Sequence, residues 1–396
     1  MNESKYKKKS KGVCMKTFKT EFHPTTQQQE YISKACGIRR WTWNWAVATY
    51  FEEAKNDVFL TAWDLQKRLN NGLVKENGYE WLSDVNSMVR GEALKDFGLA
   101  LSAYAKAKKY SKLTSENNSI DKYKPKFKKK GKCTDSFRIS KKSGSEFKVH
   151  SAHDFSMVTT RGHQRLHIHP LESVEFLKSA DIKTCTISIQ GGKFFISITY
   201  EKTNQRKPAC GTGKVGIDLG IKHAAVCFDG TSTKFIDIPA SLKDAEKKTE
   251  RCNQRLAVTT KGSKRHSKAL RAVQRAYMHE ANIKKDWREK LTTELIRSYG
   301  QINIDDFSFE GAKNLDVNRA LYRVGCYLFK LRLEQKAETS GCTINYVPQF
   351  TPTTKTCSKC GEVQDVQISD RTYSCKHCGL VIDRDENSAR NAYAYE

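Results

Sequence analysis

The sequence predicts a modular chain, in which an all-β part interrupted by helices precedes an α/β part. Three observations support this prediction. Apolar residues recur at helical spacing over residues 25–110, they alternate as in strands over residues 136–200, and short apolar strands alternate with long helices after residue 209. A chain of 396 residues is long enough for two or three domains.

The first elements follow a basic polar tail over residues 1–11. Alternating residues predict a strand over residues 15–22, and the Thr-Thr-Gln-Gln segment after Pro24 offers the capping groups that start a helix. Further helical patterns cover residues 61–69 and 85–107. We expect three aromatic residues of the first helix to pack that helix rather than to stack on bases: Trp41, Trp45 and Tyr50.

The strand patterns after residue 136 include the segments RLHIHP, TCTISIQ and FFISITY, with a turn at Gly191 and Gly192 between the last two. Because His167 and His169 alternate, we expect them to line one face of a strand, and a bound metal is the alternative that the pattern leaves open. Five of the ten histidines fall in this region: His150, His153, His163, His167 and His169.

The α/β part begins with the segments VGIDLG, HAAVCF and FIDIPA, which predict a strand, its hairpin partner and a third strand. Apolar residues at steps of three and four then predict helices over residues 262–298 and 315–338. QINIDDF, before the second of these helices, and TINYV, after it, are predicted strands. This alternation of strands and helices indicates the α/β class.

The chain carries 70 Lys and Arg against 44 Asp and Glu, a net charge of +26. Fifteen basic against four acidic residues lie within residues 101–150, and thirteen against four within residues 251–300. This clustering indicates a polyanion partner, and nucleic acid is favoured over a membrane surface. No apolar run spans a bilayer and no cleavable signal pattern opens the chain, so we expect a cytoplasmic protein, nucleoid-associated if prokaryotic, that does not bind membranes.

Basic residues near aromatic residues are candidate nucleic-acid contacts, because they combine phosphate binding with stacking. The segment IRRWTWNW contributes two arginines, KYKPKFKKKGK contributes five lysines, and the later helices contribute two arginines. A solvated loop is the alternative for the lysine-rich segment. The candidates are Arg39, Arg40, Lys124, Lys126, Lys128, Lys129, Lys130, Arg271 and Arg275.

Four of the thirteen cysteines have the spacing C-x2-C-x14-C-x2-C, and a glycine follows each pair. Two such knuckles place four thiolates tetrahedrally around one ion, which is typical of a closed structural Zn²⁺ site. The other nine cysteines are expected to be small buried apolar residues, and His377 is expected to lie outside the ligand set. The predicted ligands are Cys357, Cys360, Cys375 and Cys378.

Acidic residues end two predicted strands and follow the second cysteine pair: Asp218 in VGID, Asp305 and Asp306 in INIDD, and Asp383 and Asp385 in VIDRDENSARNAY. Carboxylates that converge from neighbouring strand ends form the kind of cluster that binds two Mg²⁺ ions in enzymes that hydrolyse phosphodiesters. In a chain of this net charge, such a cluster indicates a bound cation.

The motifs GIDLGIKHAAV, INIDDFSFEG, CSKCG with CKHCG, and DRDENSARNAY occur in this order. The sequence thereby resembles the TnpB family, which comprises RNA-guided DNA endonucleases encoded by insertion sequences and related to type V CRISPR effectors. The opening segment FKTEFHPTTQQQEYISKACGIRRWTWNWAVATYF and the basic segment GSKRHSKALRAVQR also resemble this family. The resemblance covers about residues 15–396.

The resemblance implies a RuvC-type domain on the RNase H fold with an inserted zinc ribbon. It also implies an N-terminal β-barrel wedge domain that is interrupted by a helical recognition domain. The implied wedge domain has two parts, residues 1–24 with the basic tail and residues 121–208, and the recognition domain lies between them at residues 25–120. The implied RuvC domain covers residues 209–396, with the zinc ribbon at about 350–380.

The resemblance also implies site residues and a function. Asp218 and Asp385 match the first and third acids of the RuvC site, and Asp305 stands where the family usually has glutamate. Neither Asp306 nor Glu310 falls on that position. The implied function is binding of a guide RNA derived from the transposon end, recognition of a short motif beside the target, and cleavage of double-stranded DNA by two-Mg²⁺ chemistry.

Two alternative functions remain open at this point. Because aspartate is one methylene shorter than glutamate, the chain could be a guided DNA-binding repressor with weak or no cleavage. It could also be a DNA transposase or resolvase that acts without RNA. The sequence is compatible with a monomer and with a dimer.

Overall fold

The computed structural model describes residues 13–114, 120–159, 164–203, 209–220, 222–305, 325–348, 351–367 and 370–395. The chain forms two compact units, Met1–Asn204 and Gln205–Glu396. Outside the described residues lie the basic tail, His163, Asp306 and Glu310. Within the described ranges, no helix is both long and apolar enough to cross a membrane.

Two antiparallel sheets make up the β part of the first unit. The larger consists of β1 (Val13–Phe22), β2 (Asp135–Ser140), β6 (Asp181–Gln190) and β7 (Lys193–Thr203), in the order β1-β7-β6-β2. The smaller consists of β3 (Phe147–Ser151), β4 (Asp154–Val158) and β5 (Arg165–Ile168), in that order. The predicted turn between β6 and β7 is confirmed, since two glycines with positive φ connect these strands: Gly191 and Gly192.

The described residues do not form the predicted closed β-barrel, because their strands belong to these two open sheets. Between β1 and the segment after β5 there is a single bridge, which joins Phe22 to Pro170. Across this bridge the amide of Leu171 donates a 2.9 Å hydrogen bond to the carbonyl of Glu21, and the described strands pair no further between the two sheets. One bridge therefore stands where a barrel would need a full strand pair.

Three helices lie between β1 and β2: α1 (Thr26–Glu53), α2 (Ala62–Lys67) and α3 (Ser87–Thr114). The Gln28 amide donates a hydrogen bond to the Thr25 hydroxyl, and the Thr25 amide donates one to the Gln28 side chain. This reciprocal capping box confirms the predicted start of α1.

The helices and both sheets of the first unit share one hydrophobic core. It includes Ile32 from α1, Phe97 from α3 and Phe155 from β4, which are completely buried. The helical segment is therefore packed directly on the sheets. The predicted packing role of three aromatic residues of α1 is confirmed, since they lie half-buried against this core: Trp41, Trp45 and Tyr50.

A five-stranded mixed sheet organises the second unit. Its strands are β8 (Gly213–Asp218), β9 (Ala225–Phe228), β10 (Thr233–Ile236), β11 (Tyr299–Asp305) and β12 (Thr343–Val347), in the order β10-β9-β8-β11-β12. β8, β11 and β12 are parallel, whereas β9 and β10 are joined to β8 by antiparallel pairing. All five strands predicted for this part of the sequence therefore belong to one sheet.

Four helices of the second unit fall within the described ranges: α4 (Ala240–Ala257), α5 (Lys264–Ser298), α6 (Cys326–Ser340) and α7 (Arg384–Ala394). The sequence patterns predicted α5 and the end of α6 and missed α4, while the predicted start of α6 at residue 315 lies outside the described residues. Leu295 of α5 and Phe329 of α6 are buried against Ile217 and Ile304, so both helices cover one face of the sheet.

The opposite face of the sheet carries α7, which approaches β8 closely at Gly216. A Cβ atom at Gly216 would lie 2.2 Å from the carbonyl oxygen of Ala389 and 2.2 Å from the amide nitrogen of Tyr393. Glycine is therefore required at this position, because no side chain fits between strand and helix. On β11, the Asn303 side-chain amide donates a 2.9 Å hydrogen bond to the carbonyl of Ala392 and so holds the end of α7.

We predict that Gly216→Ala pushes α7 away from the sheet and destabilises the second unit by about 1–3 kcal/mol, because overpacking forces backbone shifts. Amide hydrogen exchange of α7 and β8 measures this effect. The control is Gly91→Ala in α3, where a Cβ atom meets nothing within 4 Å and alanine is the better helix former. Unchanged exchange of α7 in the Gly216 variant would contradict the prediction.

Candidate active site

The alternation of side chains along β8 and β11 brings two of the predicted acidic residues together. Ile217 is paired with Ile304 in the parallel register, and both face the core under α5 and α6. The next residues, Asp218 and Asp305, therefore project from the opposite face, which α7 covers. Because neighbouring strands lie about 4.8 Å apart, the two aspartates are side by side.

Asp385 approaches the same place from α7, of which it is the second residue. A Cβ atom at Gly220 would lie 3.6 Å from Oδ2 of Asp385 and 4.0 Å from Oδ2 of Asp218, so the two carboxylates flank one point. Asp218 and Asp385 are only 9% and 5% exposed. The fold thus gathers Asp218, Asp305 and Asp385 at the carboxyl edge of the sheet.

The electrostatics of this edge favour uncharged acids when no cation is present. Burial raises the pKa of Asp218 well above its ordinary value, and the carboxylates of Asp305 and Asp385 raise it further. Burial also raises the pKa of Asp305 to about 6, against the opposing effects of Lys330 and of a hydrogen bond with Thr353. Like charges repel strongly where water is scarce, so the site binds either protons or a cation.

One oxygen of Asp305 lacks a hydrogen-bond partner within the described part of the chain. This atom, Oδ1, is buried and receives no hydrogen bond from any described residue, although buried polar atoms are almost always paired. A carboxylate oxygen in this condition is suited to a hard cation. The donor set of the three aspartates consists of oxygen atoms alone, and it therefore fits Mg²⁺.

Two charged neighbours of Asp385 shape the start of α7. Nε and one terminal nitrogen of Arg384 lie 3.3 and 3.2 Å from Oδ1 of Asp385. Asp383 is the N-cap, and its carboxylate accepts hydrogen bonds from the amides of Asp385 at 2.9 Å and Glu386 at 3.3 Å. Asp383 therefore fixes the helix start, and the positive end of the helix dipole lies next to the acids.

Two asparagines of the DRDENSARNAY motif connect α7 to the segment that precedes the cysteines. Asn387 is completely buried, and its side-chain amide donates a 2.7 Å hydrogen bond to the carbonyl of Thr356. The side-chain amide of Asn391 donates a 2.7 Å hydrogen bond to the carbonyl of Thr353, the residue that also bonds Asp305. The sequence analysis missed the roles of Asn303, Lys330, Thr353, Arg384, Asn387 and Asn391.

The four predicted zinc ligands converge next to the short antiparallel pair β13 (Thr372–Ser374) and β14 (Val381–Asp383). The Sγ atoms of Cys357 and Cys378 are 3.6 Å apart, as are those of Cys360 and Cys375. A disulfide would require about 2.05 Å, whereas a tetrahedron with Zn–S bonds of about 2.3 Å has edges of about 3.8 Å. This cluster could therefore hold Zn²⁺.

The two cysteine knuckles have the same backbone geometry. Gly361 and Gly379 have φ of 79° and 71°, and their amides donate to the carbonyls of Cys357 at 2.9 Å and Cys375 at 3.0 Å. Only glycine adopts this conformation without strain, which explains why one follows each pair. Elsewhere, five described cysteines are buried, as predicted: Cys36, Cys185, Cys227, Cys326 and Cys342. Three others are half-buried: Cys133, Cys210 and Cys252.

Among the described residues, three or more potential metal ligands lie mutually within 4.8 Å at two places. One is the four-cysteine cluster, which excludes His377, and the other combines His150, Asp154 and His167 of the first unit. The three aspartates do not form a third such group, so they are adjacent without converging on a single point.

Two of the predicted nucleic-acid contacts form ion pairs inside the first unit. A terminal nitrogen of Arg39 lies 2.7 Å from the carboxylate of Asp96, and Arg40 pairs with Asp135. Their side chains are 20% and 18% exposed. Because both charges are compensated within the fold, these contacts favour a structural role for the two arginines.

The lysine-rich segment is attached to α1 by specific contacts. Nζ of Lys128 lies 3.4 Å from the ring centroid of Trp43, and burial lowers the pKa of Lys128 to about 8. The side chain of Asn44 forms two hydrogen bonds with the backbone of Lys128, at 2.9 and 2.7 Å. The other candidate contacts are exposed: Lys124, Lys126, Lys129, Lys130, Arg271 and Arg275.

The chain matches three protein-family models. The OrfB_IS605 model, described as a probable transposase, matches residues 197–316. A Cas12f1-like TNB-domain model matches residues 327–392, and a helix-turn-helix domain model matches residues 14–57.

Several curated relatives align over nearly the whole chain. A protein of Streptomyces pristinaespiralis is 26% identical over 96% of this chain and 89% of its own length. InsQ of Escherichia coli K12 is 24% identical over 96% of this chain and 92% of its own length. Both carry the name "Putative RNA-guided DNA endonuclease". The TnpB-like protein L79 of Acanthamoeba polyphaga mimivirus is 29% identical over 48% of this chain and 37% of its own length.

Two solved structures share the fold. The Cas12f1 chain of a complex with sgRNA and target DNA has a TM-score of 0.51 and 14% identity, and the match covers 96% of this chain and 99% of that one. The mini-RNA-guided endonuclease CRISPR-Cas_phi3 has a TM-score of 0.53 and 10% identity, with coverage of 97% and 92%. The family models, the curated relatives and the shared fold agree with the order of motifs in the sequence, and together they support the TnpB family for this chain.

Proposed function

We propose that this chain is an RNA-guided DNA endonuclease with a RuvC-type domain on the RNase H fold, and that Asp218, Asp305 and Asp385 form its cleavage site. The names of the two relatives that align over nearly their full length support this class of function. The mixed five-stranded sheet with acids at its carboxyl edge supports the RuvC assignment.

The observation that carries the proposal is the pair of buried aspartates at the ends of β8 and β11. Asp305 Oδ1 has no hydrogen-bond partner among the described residues, and Asp218 is buried beside two further carboxylates. In a purely structural role, this arrangement would leave repelling acids and an unsatisfied oxygen, both of which destabilise a fold. A bound cation removes both penalties, so a metal-dependent function is favoured.

Mg²⁺ held by the three aspartates would activate a water molecule and stabilise the leaving oxygen of a phosphodiester. The carboxylates must lose their protons to bind a metal. Arg384 and Lys330 favour this loss, because they lower the pKa of Asp218 and Asp305 respectively. Asp383 fixes the first turn of α7 and thereby orients Asp385.

The partners in this proposal are a guide RNA, derived from the transposon end, and target double-stranded DNA, which is recognised beside a short motif. The exposed basic residues bind their phosphates, so affinity falls steeply with salt. The recognition helices occupy residues 25–120, the wedge occupies residues 1–24 and 121–208, and the RuvC domain occupies residues 209–396. This division is supported by the bounds of α1 to α3 and of the two sheets.

A structural Zn²⁺ completes the proposal. The four cysteines would hold it in a closed site that leaves no position for substrate. The neighbouring segment bonds α7 through Asn387 and Asn391, so the ribbon supports the helix that carries Asp385.

A second candidate function is guided DNA binding without efficient cleavage. The observation behind it is Asp305 itself, whose side chain is one methylene shorter than the glutamate that is usual in the family. The shorter side chain would approach a metal differently, and strand cleavage would be slow while target binding remained.

We predict that Asp218→Asn lowers cleavage of a matched target by about 100-fold or more, because it removes a metal ligand worth several kcal/mol in the transition state. Target binding by the ribonucleoprotein is expected to stay unchanged. The control is Asp286→Asn, which changes an exposed carboxylate that pairs with Lys290. Cleavage is followed on labelled DNA with the RNA that co-purifies with the chain.

Asp305→Glu separates the two candidate functions. If the native chain is an endonuclease, it cleaves with Mg²⁺ and the variant cleaves at least comparably. If the native protein binds the target without cutting it, and the Asp305→Glu variant cuts it, the result would support guided DNA binding without efficient cleavage. Native activity that survives complete removal of RNA would contradict guided cleavage.

We predict that Mg²⁺ affinity falls as the pH is lowered through about 6, the raised pKa of Asp305. Below this pH the aspartate is protonated, and each proton that Mg²⁺ must displace lowers its affinity by about tenfold per pH unit. The stability of the metal-free fold depends on pH in the opposite direction: the stability contributed by the protonated Asp305 is lost as pH rises through about 6.

Calorimetric titration with Mg²⁺ at several pH values measures how steeply the Mg²⁺ affinity depends on pH, and Asp305→Asn should flatten this dependence. A flat profile in the native protein would refute the prediction.

Removal of zinc is expected to unfold the ribbon locally, because the binding energy of structural Zn²⁺ is folding energy. A strong chelator should abolish hydrogen-exchange protection of β13 and β14, while β8 and β11 stay protected, and added Zn²⁺ should restore it. Cys378→Ser should reproduce the loss without a chelator. Protection of β13 that survives both treatments would exclude a structural metal.

A further inference from the structure

We propose that His150, Asp154 and His167 form a second transition-metal site, on the outer face of the sheet made of β3, β4 and β5. The site would have three protein ligands and an open coordination position. It lies in the first unit and does not depend on the proposed function.

The pairing of β4 with β5 places two of the ligands on one face. Ser156 is directly opposite His167, and Asp154 precedes Ser156 by two residues, so all three side chains share a face. The alternating residues Phe155 and Met157 are completely buried in the core. The ligands therefore project outward from a sheet whose other face is fixed by packing.

His150 joins this face at an irregularity in β3. The register of β3 against β4 shifts between Val149 and Ser151, and such a bulge redirects the side chain at that position. As a result, Nε2 of His150 lies 2.8 Å from Oγ of Ser156. The rings of His150 and His167 stack with centroids 5.1 Å apart and an interplanar angle of 26°.

The distances between potential ligand atoms suit one ion. One atom from each of the three residues lies within 4.8 Å of the others, and Nδ1 of His167 is 3.2 Å from Oδ1 of Asp154. Ligands with bonds of about 2.1 Å to a tetrahedral metal are about 3.4 Å apart. The side chains of Asp154 and His167 are 29% and 48% exposed, so small rotations can close the remaining gap.

A second layer of contacts holds His150 in place. Nε of Arg165 donates a 2.7 Å hydrogen bond to Oγ of Ser156, and the same guanidinium donates to the carbonyls of Ser145 at 2.9 Å and Glu146 at 3.3 Å. The buried Ser156 hydroxyl is thus fixed by Arg165 and in turn contacts the His150 ring. Metal-binding histidines typically have a hydrogen-bonded support of this kind.

The ligand set determines the class of metal. Two imidazoles and one carboxylate suit Zn²⁺, Co²⁺, Ni²⁺ or Cu²⁺, whereas Mg²⁺ prefers oxygen ligands alone. Three protein ligands leave a position for water or for an oxygen from another molecule. A metal here would also connect β3, β4 and β5, including the irregular part of β3.

Metal content provides the test. The full-length chain is dialysed against Zn²⁺ and then against metal-free buffer, and zinc per chain is counted by mass spectrometry. The native protein should hold about one zinc more than either His167→Ala or Asp154→Asn. Because the readout is a difference, it does not depend on occupancy of the four cysteines. Ser156→Ala should retain the site with about 10-fold weaker affinity.

His169→Ala is the matched control, because this exposed histidine lies on the same face, two residues from His167, and outside the cluster. It should hold as much zinc as the native chain. When Co²⁺ replaces zinc, the native chain should bind one Co²⁺ ion that the Asp154→Asn variant does not bind. The absorption spectrum of this additional Co²⁺ should indicate nitrogen and oxygen ligands and lack thiolate charge-transfer bands. Equal zinc content in the native chain and both cluster variants, or an equal loss in the control, would overturn the proposal.

Discussion

Repulsion between the buried aspartates at the ends of β8 and β11 is the constraint on which the arrangement of the second unit depends. Two acids side by side, with a third close by, are stable only where nearby groups offset their charge. Lys330, Arg384 and the positive end of α7 supply that offset. The helix must therefore lie against the sheet at this edge, and Gly216 makes the close approach possible.

The part of the site that could be predicted is encoded locally. An apolar run that ends in an acid identifies Asp218 and Asp305, and two knuckles of fixed spacing identify the cysteines. The supporting residues have no such signal. Asn303 and Asn387 bond backbone atoms far along the chain, so neither spacing nor hydropathy indicates their role. The only local sign of such a role was the position of Asn303, a polar residue in the middle of the apolar run QINID.

The errors in the fold prediction concern properties that single segments do not determine. The strands of the first unit were predicted from alternation, but closure of a barrel depends on pairing between distant edges, which in the described residues amounts to one bridge between Phe22 and Pro170. Arg39 and Arg40 remain predicted nucleic-acid contacts, although their ion pairs with Asp96 and Asp135, which are distant in sequence, favour a structural role. Some of the basic side chains thus form ion pairs within the protein, and the net charge of a sequence does not show which ones do.

The position of α7 has a consequence for how the protein is made. Asp218 and Asp305 belong to strands that emerge from the ribosome early, whereas Asp385 follows the ribbon and arrives after every strand of the main sheet. A partly synthesised chain can form that sheet, yet it lacks one of the three acids and leaves the amide of Asn303 without the carbonyl of Ala392. The proposed cleavage site is therefore incomplete on every nascent or truncated chain that ends before α7.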